Sequence, residues 1–212
     1  VVNLLITDND KKIVREWFEP YKYANISMIQ KVYYKDRQYG YNIVRKRLLE
    51  MIKADYIKKD RDLITNKNLY TLNDKDIKPP SEHKLIILSV LAEMKYMGFD
   101  IEHFEVEKHW IHDKGKMVYS DGFVIFTMDK RRYHYFIEVH RSNNINNLEK
   151  YDMLWESGVV QKWYEDNGYN KDFYPKRVLL ISDREFKKPI ELKHCQVVQL
   201  DEKLSEFYKI LI

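Results

Sequence analysis

Apolar positions follow a helical period near the start of the chain and turn to strand-like runs further on. Ile13, Val14, Trp17, Phe18 and Tyr21 recur at helical spacing, and Pro20 bends or ends that first helix. Asn25 suits the N-cap of a short second helix with Ile26, Ile29, Val32 and Tyr33 on its inner face. After a polar turn over 35–38, a third helix runs from Tyr41 to about Lys53. Val44, Leu48, Met51 and Ile52 line one side of it, while Asn42, Arg45, Lys46 and Leu49 point elsewhere. Ala54-Asp55 ends it, Asp being tolerant of a left-handed cap. Residues 56–59 and 68–72 predict two short strands around a polar loop. Residues 73–82 are polar, and Pro79-Pro80 resists helix and central strand alike, so this stretch predicts a linker. The expected units are therefore 1–78 and 79–212.

The second part predicts α/β architecture. A largely buried helix over 83–97 carries Leu85, Ile86, Leu88, Val90, Leu91 and Met94, and Gly98 closes it. Strands follow over 101–111, 123–126 and 135–139, the last two joined by a polar turn at 129–132. A helix over 147–167 has a potential break at Ser157-Gly158. The continuous apolar run 177–182 fits a strand covered on both faces. A strand over 195–200 and a helix over 202–211 complete the chain.

Three helices followed by a small hairpin is the order of a winged helix, whose third helix enters the major groove. On that expectation Asn42, Arg45 and Lys46 approach base edges. Lys35, Arg37, Lys58, Lys59 and Lys67 hold the phosphate backbone, and Tyr39 and Tyr41 hydrogen-bond phosphates. Charge agrees with this. The net charge is +4, but residues 1–80 carry 17 Lys and Arg against 11 Asp and Glu, whereas residues 81–212 carry 20 against 22. A basic front half suits a polyanion such as double-stranded DNA. The competing readings are a solvated lysine-rich surface and a winged helix used for protein contacts.

Composition narrows the rest. With 44% hydrophobic and 14% aromatic residues the chain can bury a core. Cys195 is the single cysteine, which excludes an internal disulfide and a cysteine-built zinc site and suits a reducing cytoplasm. No apolar run reaches the roughly 18–20 residues of a membrane span, and Val-Val-Asn-Leu-Leu-Ile lacks signal-peptide form. The expectation is a cytoplasmic protein without a membrane partner. No glycine-rich phosphate loop is present. The Asn, Lys, Ile and Tyr bias hints at an AT-rich bacterial genome.

Candidate chemistry centres on Asp121, at the start of one central strand, and Glu138, within the next. A carboxylate inside a strand is expensive unless a cation, metal or donor pairs with it. His140 lies two residues further along the same face as Glu138. Two carboxylates held close can bind Mg2+ or Mn2+, and such an ion activates water for phosphodiester hydrolysis. The bland alternative is a salt bridge from Glu138 to Arg141, a lysine or His140.

These residues carry a resemblance. A helix and three strands with Asp on the second and Glu-x-Lys on the third resembles the core of the PD-(D/E)XK nuclease superfamily, over roughly residues 83–182. Here the motif reads Ser120-Asp121 and Glu138-Val139-His140, so His140 stands where that superfamily has lysine, and Glu93 matches its additional helical acid. The chain as a whole is similar to the replication-relaxation family of mobile elements, which joins a winged helix to such a domain. The matching stretches are Arg47-Leu48-Leu49-Glu50-Met51-Ile52-Lys53-Ala54-Asp55, Asp121-Gly122-Phe123 and Phe136-Ile137-Glu138-Val139-His140-Arg141. The resemblance implies a DNA-binding protein of plasmid replication initiation or mobilisation, working with replication or relaxation proteins. Its nuclease-like domain would be a non-catalytic scaffold or homodimerisation platform, and no cofactor would be required. The alternatives are a metal-dependent endodeoxyribonuclease using Asp121, Glu138 and His140, and a winged-helix transcriptional regulator.

Weaker constellations remain. His103, His109 and His112 would need a bend to share one zinc ion. Ser142 and Ser157 lack a His/Asp setting. Tyr33 and Tyr34 lack the histidine cluster of a relaxase, and Tyr33 reads as core.

Overall fold

The computed structural model describes residues 6–61, 68–111, 117–141, 148–170, 172, 174–184, 186 and 190–211. The fold is mixed α and β with two sheets, and internal contacts divide the chain into Val1–Met97 and Gly98–Ile212. That division differs from the sequence expectation of 78/79. The helix Glu82–Tyr96 packs on the helix Ile26–Tyr33 and therefore groups with the first unit.

In the first unit, α1 (Asp8–Ile13) starts at a capping box. The Asp10 amide donates to the Thr7 hydroxyl, and the Thr7 amide donates to the Asp10 carboxylate at 2.7 Å. The helix continues through a π turn, Val14–Phe18, into α2 (Glu19–Tyr21). The wider turn lies just ahead of Pro20, whose ring would clash with the carbonyl four residues back in a regular helix. A two-residue strand, β1 (Tyr23–Ala24), leads to α3 (Ile26–Tyr33), capped by Asn25 accepting from the Met28 amide at 2.9 Å. Next come α4 (Gly40–Lys53), β2 (Ile57–Arg61), β3 (Asn68–Leu72) and α5 (Glu82–Tyr96). The strands form an antiparallel sheet in the order β1-β3-β2. Ile13, Trp17, Phe18, Val44, Leu48 and Met51 are fully buried. Ile52, expected inward, is only half-buried.

The second unit opens with an antiparallel meander: β4 (Asp100–Ile111), β5 (Met117–Met128) and β6 (Arg131–His140). Asp129 and Lys130, at φ 49° and 64°, make the tight turn between β5 and β6, so both strands run longer than their apolar cores suggest. Helices α6 (Lys150–Ser157) and α7 (Val159–Asp166) meet at Gly158, whose φ of 68° produces the expected break. Strands β7 (Arg177–Ser182) and β8 (Gln196–Asp201) then extend the sheet in parallel, giving the order β4-β5-β6-β7-β8. Val178, Leu179, Leu180 and Ile181 are all fully buried, as a run covered on both faces requires. One core cluster joins Trp110, Phe123 and Phe136 of the sheet to Tyr151, Leu154 and Tyr164 of α6 and α7. The closing helix is shorter than expected, a 3-10 turn at Phe207–Leu211. Leu204 at φ 57° and the Asp201 carboxylate accepting from the Ser205 amide at 2.8 Å hold residues 201–205 in a turn instead.

Candidate functional site

The meander brings Asp121 on β5 beside Glu138 on β6. The Asp121 carboxylate accepts from the Val139 amide at 2.8 Å, which ties it to the backbone next to Glu138. Glu138 is 8% exposed. Its Oε1 accepts from the Tyr151 hydroxyl and lies 2.6 Å from the Lys150 ammonium, which also donates to the Tyr119 carbonyl at 2.6 Å. Burial raises the Glu138 pKa above its ordinary value. Lys150 pulls it back and the neighbouring Asp121 charge adds to the rise. The fully buried Tyr151 is pushed well above the ordinary phenol range by burial and by Glu138. Tyr174 donates to the Tyr151 carbonyl at 2.6 Å and fixes this turn of α6 from behind.

Lys150 is the residue that sequence reasoning missed. The need for a partner to Glu138 was legible, because a strand carboxylate must be compensated. Its identity was not, since Lys150 follows Glu138 by twelve positions and opens a different element. His140 takes another part. It is half-buried, aligned with Ser182 across the parallel β6–β7 pair, and its ring lies 6.1 Å from that of Phe186. Arg141 pairs with Glu202 at 2.9 Å. Glu93 lies in the first unit and pairs with Lys31 of α3.

The donor set at Asp121 and Glu138 fits a divalent ion in part. Two carboxylates offer hard oxygens, but one Glu138 oxygen already carries an ammonium and a hydroxyl. Among the described residues, no group of three or more His, Cys, Asp and Glu side chains is placed to hold a metal. His103 contacts Glu105 at 3.3 Å and the Phe123 and Trp163 rings. His109 meets Tyr119 edge-on, and His112 lies outside the described residues. Tyr33 has its pKa raised by burial, the reverse of an activated nucleophile.

The second constellation is the outer face of α4. Tyr39 and Tyr41 are 72% and 53% exposed, and Asn42, Arg45 and Lys46 are exposed beside them. Among the described residues no hydrogen bond or ion pair engages the Arg45 or Lys46 side chain. Lys35, Arg37 and Lys59 are also exposed, Lys58 is half-buried with its ammonium on the Asp74 carbonyl at 3.2 Å, and Lys67 lies outside the described residues. The inner side of α4 is fixed in two ways. Gly40 is buried where a Cβ would come within 3.1 Å of the Tyr34 carbonyl, so α3 and α4 approach closely. Arg47 reaches back to the fully buried Asp10 of α1, with Nε at 2.9 Å from Oδ1 and a second contact to Oδ2. Burial alone would raise the Asp10 pKa, but the Arg47 and Thr7 hydrogen bonds outweigh it and hold it below the ordinary value. In comparisons with known proteins, no family model and no curated protein matches this chain.

Proposed function

We propose that the protein binds duplex DNA through a winged helix, with α4 in the major groove and β2–β3 as the wing, in replication initiation or mobilisation of a plasmid or other mobile element. The observation that carries this reading is the exposed row Tyr41, Asn42, Arg45 and Lys46 on one face of α4, whose two cations have no protein partner among the described residues. Cations left unneutralised on a helix are what phosphate and base-edge contacts use. The chain order helix, strand, two helices, two strands, with β1 paired to β3, supports the winged-helix assignment. The assignment to a mobile element rests on the sequence resemblance.

In the same reading the second unit is a PD-(D/E)XK-like domain serving as scaffold. Support comes from its antiparallel meander followed by helices and a parallel strand, with Asp121 and Glu138 on adjacent strands. One observation favours a second reading, metal-dependent DNA cleavage: Lys150 lies 2.6 Å from Glu138 and supplies the lysine that His140 replaces in the linear motif. A metal at the two carboxylates would supply Lewis acidity and an activated water. Supercoiled plasmid incubated with the protein, with and without Mg2+ or Mn2+, separates the two. Retarded but intact plasmid in every lane is the expected result. Metal-dependent nicking abolished by Asp121→Asn, Glu138→Gln and Lys150→Ala would replace the scaffold with a nuclease.

A further inference from the structure

We infer that the Lys150 ammonium takes the place of a metal ion at Asp121 and Glu138. The second unit is locked by its own cation, and it binds a divalent ion there only when that lysine is removed. Such a lock belongs with the scaffold reading of this unit, on which it rests. Lys150 Nζ lies 2.6 Å from Glu138 Oε1 and 2.6 Å from the Tyr119 carbonyl oxygen. It therefore sits between a carboxylate of β6 and a backbone oxygen of β5, close to the separation of about 2.3–2.6 Å at which calcium holds its oxygen ligands. The Lys150 and Glu138 side chains are only 12% and 11% exposed, so the ammonium is not a loose surface charge.

Lys150 opens α6, where the positive end of the helix dipole disfavours a cation. The helix itself gives no reason for a lysine at that position. The carboxylates do: Asp121, held by the Val139 amide at 2.8 Å, sets a second negative charge beside Glu138. With the ammonium in place, a divalent ion on Glu138 meets a positive charge close by, in buried surroundings that screen it little. Without the ammonium, Glu138 is a buried charge that has lost its ion pair, and the Tyr119 carbonyl loses this donor. Two carboxylates and a carbonyl are then a hard oxygen set suited to one divalent ion.

Titration calorimetry and thermal unfolding of the full chain at neutral pH, in EDTA and with Mn2+ or Ca2+, test this. The wild type should keep one midpoint throughout and bind neither ion at Asp121. Lys150→Ala should have a lower midpoint in EDTA and bind one equivalent of at least one ion. Its midpoint should rise by about 5 °C or more once that ion is about a hundredfold above its Kd. Adding Asp121→Asn should remove the response, and Lys150→Arg, which keeps the charge, should be as indifferent to metal as the wild type. If Lys150→Ala is unfolded in EDTA, recovery of its circular dichroism on adding metal is the expected result. One-to-one binding by the wild type that Asp121→Asn removes would overturn the lock, and so would a Lys150→Ala variant, folded or not, that ignores both ions. Wild-type binding without plasmid nicking would leave the scaffold reading standing, so the two fail separately.

Discussion

Glu138 shows how one residue can be foreseen in kind but not in detail. Its position in an apolar strand demanded compensation, and the structure supplies Lys150 and Tyr151, one ionic and one neutral donor on the same oxygen. Nothing local in the sequence distinguishes Lys150 from the chain's other lysines. His134 poses a different problem on the same strand. It is 7% exposed, lies edge-on to Tyr164 at 5.1 Å, and has its pKa lowered from 6.5 to about 4 by burial, with Arg132 adding to the effect. The sign follows from proton binding. Below pH 6.5 the unfolded chain takes up a proton that the folded state resists until about pH 4. Stability from this group is therefore complete above pH 6.5 and declines as pH falls towards 4, by about 3 kcal/mol in all. Urea unfolding at pH 7 and pH 5 should show a smaller loss on acidification for His134→Phe than for the wild type. Equal losses would contradict the assignment.

At the scale of elements, α4 has two faces with separate duties. The outer face carries the exposed cations, and the inner face is docked by Gly40 against α3 and by Arg47 on Asp10. Arg47→Ala would strand a buried carboxylate and should destabilise the protein by about 3–5 kcal/mol, measured by chemical unfolding. A loss below about 1 kcal/mol would mean that the pair is not structural. Elements with strong periodicity were legible in sequence. The apolar run of β7 was bounded to the residue, and Asn25 and Gly158 marked a helix start and a helix break. The elements that were not legible depend on distant partners. β1 is two residues long and exists because β3 pairs with it. The final helix contracts because Leu204 turns left-handed and Asp201 caps the turn. The contact of Arg47 with Asp10, 37 positions away, was likewise invisible, although Arg47 stood in a stretch already singled out.

For the whole molecule, the linker over 73–82 was recognised as irregular, but the compact units divide after α5 rather than before it. Polarity and prolines mark where the chain lacks regular structure. They do not say which side the following helix joins, and α5 joins α3, with Glu93 pairing to Lys31. A fragment ending at residue 97 should therefore unfold cooperatively. One ending at 78 should melt at least about 10 °C lower or fail to fold, as circular dichroism would show. Similar melts for both fragments would restore the earlier boundary. The uneven charge along the chain places a surplus of cations in the first unit, as the proposed duplex binding requires. The most direct measurement is the salt dependence of duplex binding by the full chain, compared with the Arg45→Ala/Lys46→Ala variant in fluorescence anisotropy titrations. The account predicts weaker binding and a shallower log–log salt slope, because two cations facing the polyanion are lost. Unchanged affinity and slope would contradict α4 as the element that contacts DNA.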